Sequence, residues 1–121
     1  MQKFPAIAFL FITLCAVFPT TAAQAHAHLT QSVPAAGATV AAAPEQVSLT
    51  FTENLEPAFS TVEVTDGSGA RVDTGKAAVS GNTMQVGLKA GAPGTYHVKW
   101  HVVSVDTHTT QGSFTFHVGG P

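Results

Sequence analysis

Five short segments in which apolar and polar residues alternate constrain the fold of this 121-residue chain more than any other feature. They are QVSLTF (46–51), STVEVTD (60–66), TMQVGL (83–88), TYHVKWHVVSV (95–105) and SFTFHV (113–118). Alternation with a period of two puts one set of side chains on each face of a strand. Turn-rich stretches separate the segments, so we predict an all-β fold: a small antiparallel Greek-key sandwich or barrel of six or seven strands.

The first 25 residues have the three-part layout of a secretory signal peptide. MQK is a short basic start, residues 4–18 are apolar, and PTTAAQA (19–25) ends the segment with small residues. The apolar run is shorter than the roughly 20 residues that a membrane-spanning helix needs. We therefore predict a cleaved leader, residues 1–25, and one exported periplasmic domain, residues 26–121.

The cut position has two candidates, because cuts before His26 and before His28 both follow a small-x-small triplet, AQA and AHA. The first is preferred because it keeps both histidines and makes His26 the mature N-terminus. Cys15 lies in the leader, so the mature domain must fold without a disulfide. It keeps four Lys or Arg against seven Asp or Glu, and this acidic balance argues against a nucleic-acid partner.

All six histidines lie after the predicted leader, and the strand pattern separates them. His97, His101 and His117 occupy the polar phase of their strands, so we expect them on the solvent-exposed face. The serines lack a G-x-S-x-G setting, and Glu53 and Glu56 are expected to be solvated loop residues. The sequence therefore predicts a protein that is not an enzyme.

Two pairs of candidate ligands remain, each with its members two residues apart. Residues at that spacing in an extended chain project to the same side, which would place Asp106 beside His108 and His26 beside His28. Each pair alone has a simpler interpretation: a frayed terminus for the histidines, and a turn aspartate with a surface histidine for the other pair. Taken together, the two pairs predict one metal site at the rim of the sandwich.

The predicted donors are three imidazoles, one carboxylate and the α-amino group of His26. A nitrogen-rich, thiolate-free set suits Cu(II) best among the divalent first-row ions, although Zn(II) also accepts such donors. Met84 is the one methionine of the predicted mature domain, and its apolar phase assigns it to the core. We therefore expect one Cu(II) ion and no thioether cluster for Cu(I).

Three segments resemble the CopC family of periplasmic copper-resistance proteins: HAHLTQSVPAAG (26–37), FTENL (51–55) and GTYHVKWHVVSVDTHTTQGSF (94–114). The resemblance covers essentially the whole mature chain and implies a seven-stranded, cupredoxin-like Greek-key barrel or sandwich. It also implies a Cu(II) site. Its ligands, carried over to this chain, are His26, His28, Asp106 and His108.

Some members of the family also hold Cu(I) in a methionine-rich loop. The matching stretch here, residues 66–82, has neither Met nor His, so we expect a protein that binds Cu(II) only. Family kinship further implies a CopD-like membrane importer as a partner, and we expect the chain to be a monomer. We interpret it as a periplasmic copper carrier or buffer. The alternatives are a copper oxygenase with a histidine brace and a metal-free secreted Ig-like interaction domain.

Overall fold

The computed structural model describes residues 27–89 and 91–119. Within these ranges the chain forms eight strands and one 3-10 turn, Pro57–Phe59. The strands are β1 (Leu29–Val33), β2 (Thr39–Val40), β3 (Gln46–Phe51), β4 (Thr61–Thr65), β5 (Ala78–Ser80), β6 (Thr83–Gly87), β7 (Gly94–Val103) and β8 (Thr109–Val118). In this described part of the chain, no helix is long and apolar enough to cross a membrane.

The strands form two four-stranded sheets, in the orders β1-β3-β6-β5 and β2-β8-β7-β4. This arrangement confirms the predicted all-β sandwich. Every pairing is antiparallel except that of β2 with β8, which is parallel. The segment containing β2 is extended because its backbone pairs with the edge of β8: the His117 N–H donates to the Ala38 carbonyl (2.8 Å) and the Gly119 N–H donates to the Val40 carbonyl (2.8 Å).

The core lies between the sheets and consists mainly of the apolar phases predicted for the five alternating segments, with Ala27 and Leu55 in addition. Its aromatic residues contact one another: Phe51 meets Trp100 edge to face at 5.1 Å, and Tyr96 stacks on Phe116 at 5.3 Å. Each of these rings buries a large apolar area, which stabilises the fold. The other core residues include Val47, Leu49, Val62, Val64, Met84, Val86, Val98, Val102 and Val118.

The β7–β8 hairpin determines where the candidate site lies. Its ladder runs for ten pairs, from Gly94 opposite Val118 to Val103 opposite Thr109. The stretch HTTQG (108–112) was predicted as a turn, but its last four residues belong to β8 because they pair with the end of β7. The connection is consequently short, and residues 104–108 form the tip of the hairpin.

A buried carboxylate ties the edge of β4 to the loop that follows it. The Asp73 side chain is fully buried and accepts hydrogen bonds from the backbone N–H groups of Val64 (2.8 Å) and Gly75 (2.8 Å). Arg71 donates to both carboxylate oxygens, through Nε at 3.1 Å and Nη2 at 2.9 Å, and its Nη1 lies 3.2 Å from Glu63. Since a buried charge is tolerated only when it is paired and hydrogen-bonded, this network stabilises the loop.

Candidate metal site

The loop between β7 and β8 is a tight turn closed by its own backbone. Ser104 N–H donates to the carbonyl oxygen of His108 at 2.9 Å, and Thr107 N–H donates to that of Ser104 at 2.9 Å. Thr107 has a φ of +74°, in the left-handed region that a β-branched residue seldom adopts. The contacts around the turn must therefore hold this residue in place.

The turn brings Asp106 and His108 together. His108 Nδ1 lies 3.3 Å from Asp106 Oδ1, and both side chains are partly exposed, 47% for His108 and 39% for Asp106. The sequence predicted that an extended backbone would place these two side chains next to each other. In the structure the reason is different: the intervening Thr107 reverses the chain, and the two side chains meet across the turn.

The hydrogen bonds of Asp106 favour its ionised form. The Ser104 hydroxyl donates to Oδ1 and is the main cause that holds the pKa of Asp106 below its ordinary value of 3.8. Desolvation opposes this by raising the pKa, while hydrogen bonds from His108 and its positive charge lower it further. Asp106 is therefore a carboxylate at neutral pH, the form that can bind a cation.

The segment that carries His28 is fixed at the start of β1. Ala27 is fully buried, and its carbonyl oxygen accepts a hydrogen bond from Oγ1 of Thr110 at 2.8 Å. Thr110 lies two residues after His108 in the sequence. His28 N–H donates to Thr52 Oγ1 at 2.9 Å, and Thr52 N–H returns a bond to the His28 carbonyl at 2.9 Å. The backbone at residues 27–28 is thus held between β8 and the segment after β3.

The segment after β3 also contacts the hairpin tip. Val105 N–H donates to the Asn54 carbonyl at 3.0 Å, and Leu55 forms a β-bridge with Ser104. Because Thr52 holds His28 on one side and Asn54 holds Val105 on the other, His28 lies at the same end of the sandwich as Asp106 and His108.

The complete set of four predicted ligands stays a prediction. His26 lies outside the described residues, as does the predicted leader boundary. Among residues 27–89 and 91–119, no group of three or more His, Cys, Asp or Glu side chains is arranged to hold a metal ion. What the structure brings together is the Asp106–His108 pair, with the backbone of His28 anchored at the same end.

The other candidate residues are placed largely as their strand phases predicted. His97, His101 and His117 are exposed on the outer face of the β2-β8-β7-β4 sheet, and His117 Nδ1 lies 3.3 Å from Thr95 Oγ1. Met84 is fully buried in the core. Glu53 and Glu56, expected to be solvated, are half-buried because the chain around them lies against the end of β7.

Sequence reasoning missed two residues that organise this end of the sandwich. Ser104 is fully buried and bonds to Asp106, and Thr110 holds the carbonyl of Ala27. The only signal in the sequence was the position of Ser104, directly after the apolar run of β7 and two residues before Asp106. Its role depends on hydrogen bonds that only the folded hairpin makes.

Comparison with known proteins identifies relatives of this chain. Protein YobA of Escherichia coli (strain K12) is 42% identical over 103 residues, covering 82% of this chain and 83% of YobA. Copper resistance protein C of Xanthomonas campestris pv. juglandis is 35% identical over 127 aligned positions, covering 98% of this chain and 99% of that protein. Among solved structures, the crystal structure of CopC from Methylosinus trichosporium OB3b has a TM-score of 0.74 and 32% identity, covering 78% of this chain and 95% of that one.

A family model supports the same assignment. The CopC domain model matches residues 29–119, which include all eight strands, β1 to β8. The agreement of sequence, fold and family model shows that this chain belongs to the CopC family.

Proposed function

We propose that this protein binds one Cu(II) ion and acts in copper homeostasis and resistance as a carrier or buffer. The observation that carries the proposal is the Asp106–His108 pair at the hairpin tip, at the end of the sandwich where the His28 backbone is anchored. The likeness to a protein named copper resistance protein C, over nearly the full length of both chains, supports copper as the cargo.

The proposed ligands are His26, His28, Asp106 and His108. Imidazole nitrogens and a carboxylate oxygen suit Cu(II), and the hydrogen bonds that keep Asp106 ionised suit a cation ligand. His26 directly precedes Ala27 in the sequence. The carbonyl of Ala27 accepts a hydrogen bond from Thr110, which belongs to the same hairpin as Asp106 and His108.

We further propose that residues 1–25 direct export to the periplasm and that cleavage before His26 creates the α-amino donor. The mature protein would then act as a monomer that delivers copper to a CopD-like membrane importer. Ligand binding without catalysis is the proposed activity, because an aspartate and a third imidazole would occupy positions that a copper oxygenase leaves open for dioxygen.

Copper should stabilise the mature protein, and acid should remove this effect. An ion present at a hundred times its Kd adds about 2.7 kcal/mol to the free energy of unfolding, which for a domain of this size raises Tm by roughly 10 °C or more. Protons compete with Cu(II) for imidazole and amine donors, because only the deprotonated groups can bind a metal ion. The increase in Tm should therefore be large near pH 7.5 and small near pH 5.

Thermal unfolding with and without one equivalent of Cu(II), at both pH values, measures this effect. An equal concentration of Zn(II) is the control, since Zn(II) binds nitrogen and oxygen sites more weakly than Cu(II) and should raise Tm less. A Cu(II) shift that is absent near pH 7.5, or that is the same at both pH values, would contradict the proposed ligand set.

A further inference from the structure

Ser104 is a buried polar residue whose hydroxyl points into the hairpin tip. Its exposed fraction is 0%, and it lies at the end of β7, bridged to Leu55. Buried hydroxyl groups in folded proteins are nearly always hydrogen-bonded. The partner of this one is Oδ1 of Asp106, to which the hydroxyl donates, and the same hydroxyl oxygen also lies 3.3 Å from the carbonyl of His108.

The backbone of Ser104 holds the rest of the turn. Its N–H binds the carbonyl of His108 and its carbonyl binds the N–H of Thr107, each at 2.9 Å. One residue at a rigid strand end therefore contacts the three consecutive residues that form the D-x-H unit. Because Ser104 is buried, a residue inside the protein holds the turn that carries the exposed carboxylate of Asp106 and the imidazole of His108.

Both contacts of the Asp106 side chain described here use the same carboxylate oxygen. Oδ1 of Asp106 accepts the bond from Ser104 and lies 3.3 Å from Nδ1 of His108. Oδ2 of Asp106 takes part in neither of these two contacts.

We propose that Ser104 is a positioning residue for the copper site: its buried hydroxyl holds the carboxylate of Asp106 beside the ring of His108, so that both side chains can bind one Cu(II) ion. This inference rests on the proposed function, because it concerns the orientation of two of the proposed ligands. Ser104 does not contact the ion. It acts through Asp106, whose carboxylate lies beside the ring of His108.

The chain offers a matched control at the same strand end. Ser60 is also buried, with 6% exposure, and its Oγ accepts a hydrogen bond from the N–H of Val103 at 3.2 Å. The described hydrogen bonds of Ser60 all go to Val103, one residue before Ser104. Ser60→Ala therefore removes a comparable hydroxyl without touching the carboxylate.

A double-mutant cycle on Cu(II) affinity tests the inference. The proteins are the mature wild type, Ser104→Ala, Asp106→Ala, the double variant and Ser60→Ala, each titrated with Cu(II) against a competing chelator. Losing an outer-shell partner of a metal ligand usually weakens affinity by about 10–100-fold. We expect that loss for Ser104→Ala in the wild-type background, together with an altered Cu(II) EPR spectrum. We expect no further loss once Asp106 is absent, and little change for Ser60→Ala.

Each other outcome overturns the inference in a recognisable way. Equal losses from Ser104→Ala with and without Asp106, a loss from Ser60→Ala of the same size, or failure of Ser104→Ala to fold would make the hydroxyl a general structural element. Unchanged affinity and EPR spectrum in Ser104→Ala would reject positioning while leaving the copper site intact. Absence of tight Cu(II) binding in the wild type would reject the proposed function itself, and this inference with it.

Discussion

Replacing Asp106 or His108 with alanine should weaken Cu(II) binding by at least about a hundredfold, since even outer-shell partners of a metal ligand contribute about 10–100-fold. The apo-protein should remain folded in both variants. Both side chains are substantially exposed, and substitutions at such positions usually change stability by only a few tenths of a kcal/mol. Asp106→Ala additionally removes the acceptor of the Ser104 hydroxyl, which still has the carbonyl of His108 within 3.3 Å.

Chelator competition gives the affinity, and circular dichroism with thermal melting reports the fold. His117→Ala is the matched control, because it removes an exposed imidazole from β8 on the outer face of the sheet, outside the proposed ligand set. The control should retain wild-type affinity. If Asp106→Ala and His108→Ala also retained it, these residues would not be ligands; if they unfolded the protein, their role would be structural.

Asp73→Ala should lower the free energy of unfolding more than any substitution at the hairpin tip. It leaves the N–H groups of Val64 and Gly75 without their acceptor and removes one of the two carboxylate partners of Arg71, the other being Glu63. Orphaning buried donors costs about 1–3 kcal/mol per group and more around charges, so we expect roughly 2–4 kcal/mol at neutral pH. Copper affinity should change little in the folded fraction, because Asp73 belongs to the β4 edge and not to the hairpin tip.

The same carboxylate should make stability depend on acid. Burial raises the pKa of Asp73, but hydrogen bonds from Arg71, Val64 and Gly75, with the charge of Arg71, hold it below the ordinary value of 3.8. The folded state therefore binds this proton less readily than the unfolded state. The contribution of Asp73 is fully present above its ordinary pKa and is lost as the pH falls through the lower folded pKa.

Urea denaturation at about pH 7 and about pH 3 measures both effects. The stability difference between wild type and Asp73→Ala should shrink at the lower pH. Asp66→Ala is the control, since Asp66 also has a lowered pKa but its hydrogen bonds to Ser68 and Ala70 lie in an exposed turn. An Asp73→Ala variant as stable as Asp66→Ala would show that the buried network is unimportant.

The alternation of apolar residues was sufficient to predict the sandwich and most of its core. It worked for β3, β4, β6 and β7, because each buries one face between the sheets. The strands that were not predicted, β1, β2 and β5, lie at sheet edges. Each of these three strands has at most one buried residue, so its sequence carries little alternation. β4 is also an edge strand, but it buries Val62 and Val64 and was therefore predicted. The first residues of β8 were missed for the same reason: Thr109 and Gln111 are exposed and are extended because β7 pairs with them.

The candidate site was predictable in its residue types and only partly in its geometry. The D-x-H spacing correctly paired Asp106 with His108, although the backbone between them turns at Thr107. The contribution of Ser104 could not be read from the sequence, because a serine at a strand end has no distinguishing pattern. Its importance comes from complete burial beside a carboxylate, a property of tertiary packing alone.

In the proposed function, the mature protein begins at His26 and binds one Cu(II) ion through His26, His28, Asp106 and His108. The most direct measurement is Cu(II) titration with EPR on protein purified from periplasm, with the N-terminal residue determined on the same sample. We predict a start at His26, one tightly bound Cu(II) per chain and a nitrogen-rich EPR spectrum that disappears in the Asp106→Ala/His108→Ala double variant. A start at His28 or later, with only weak copper binding, would contradict this proposal.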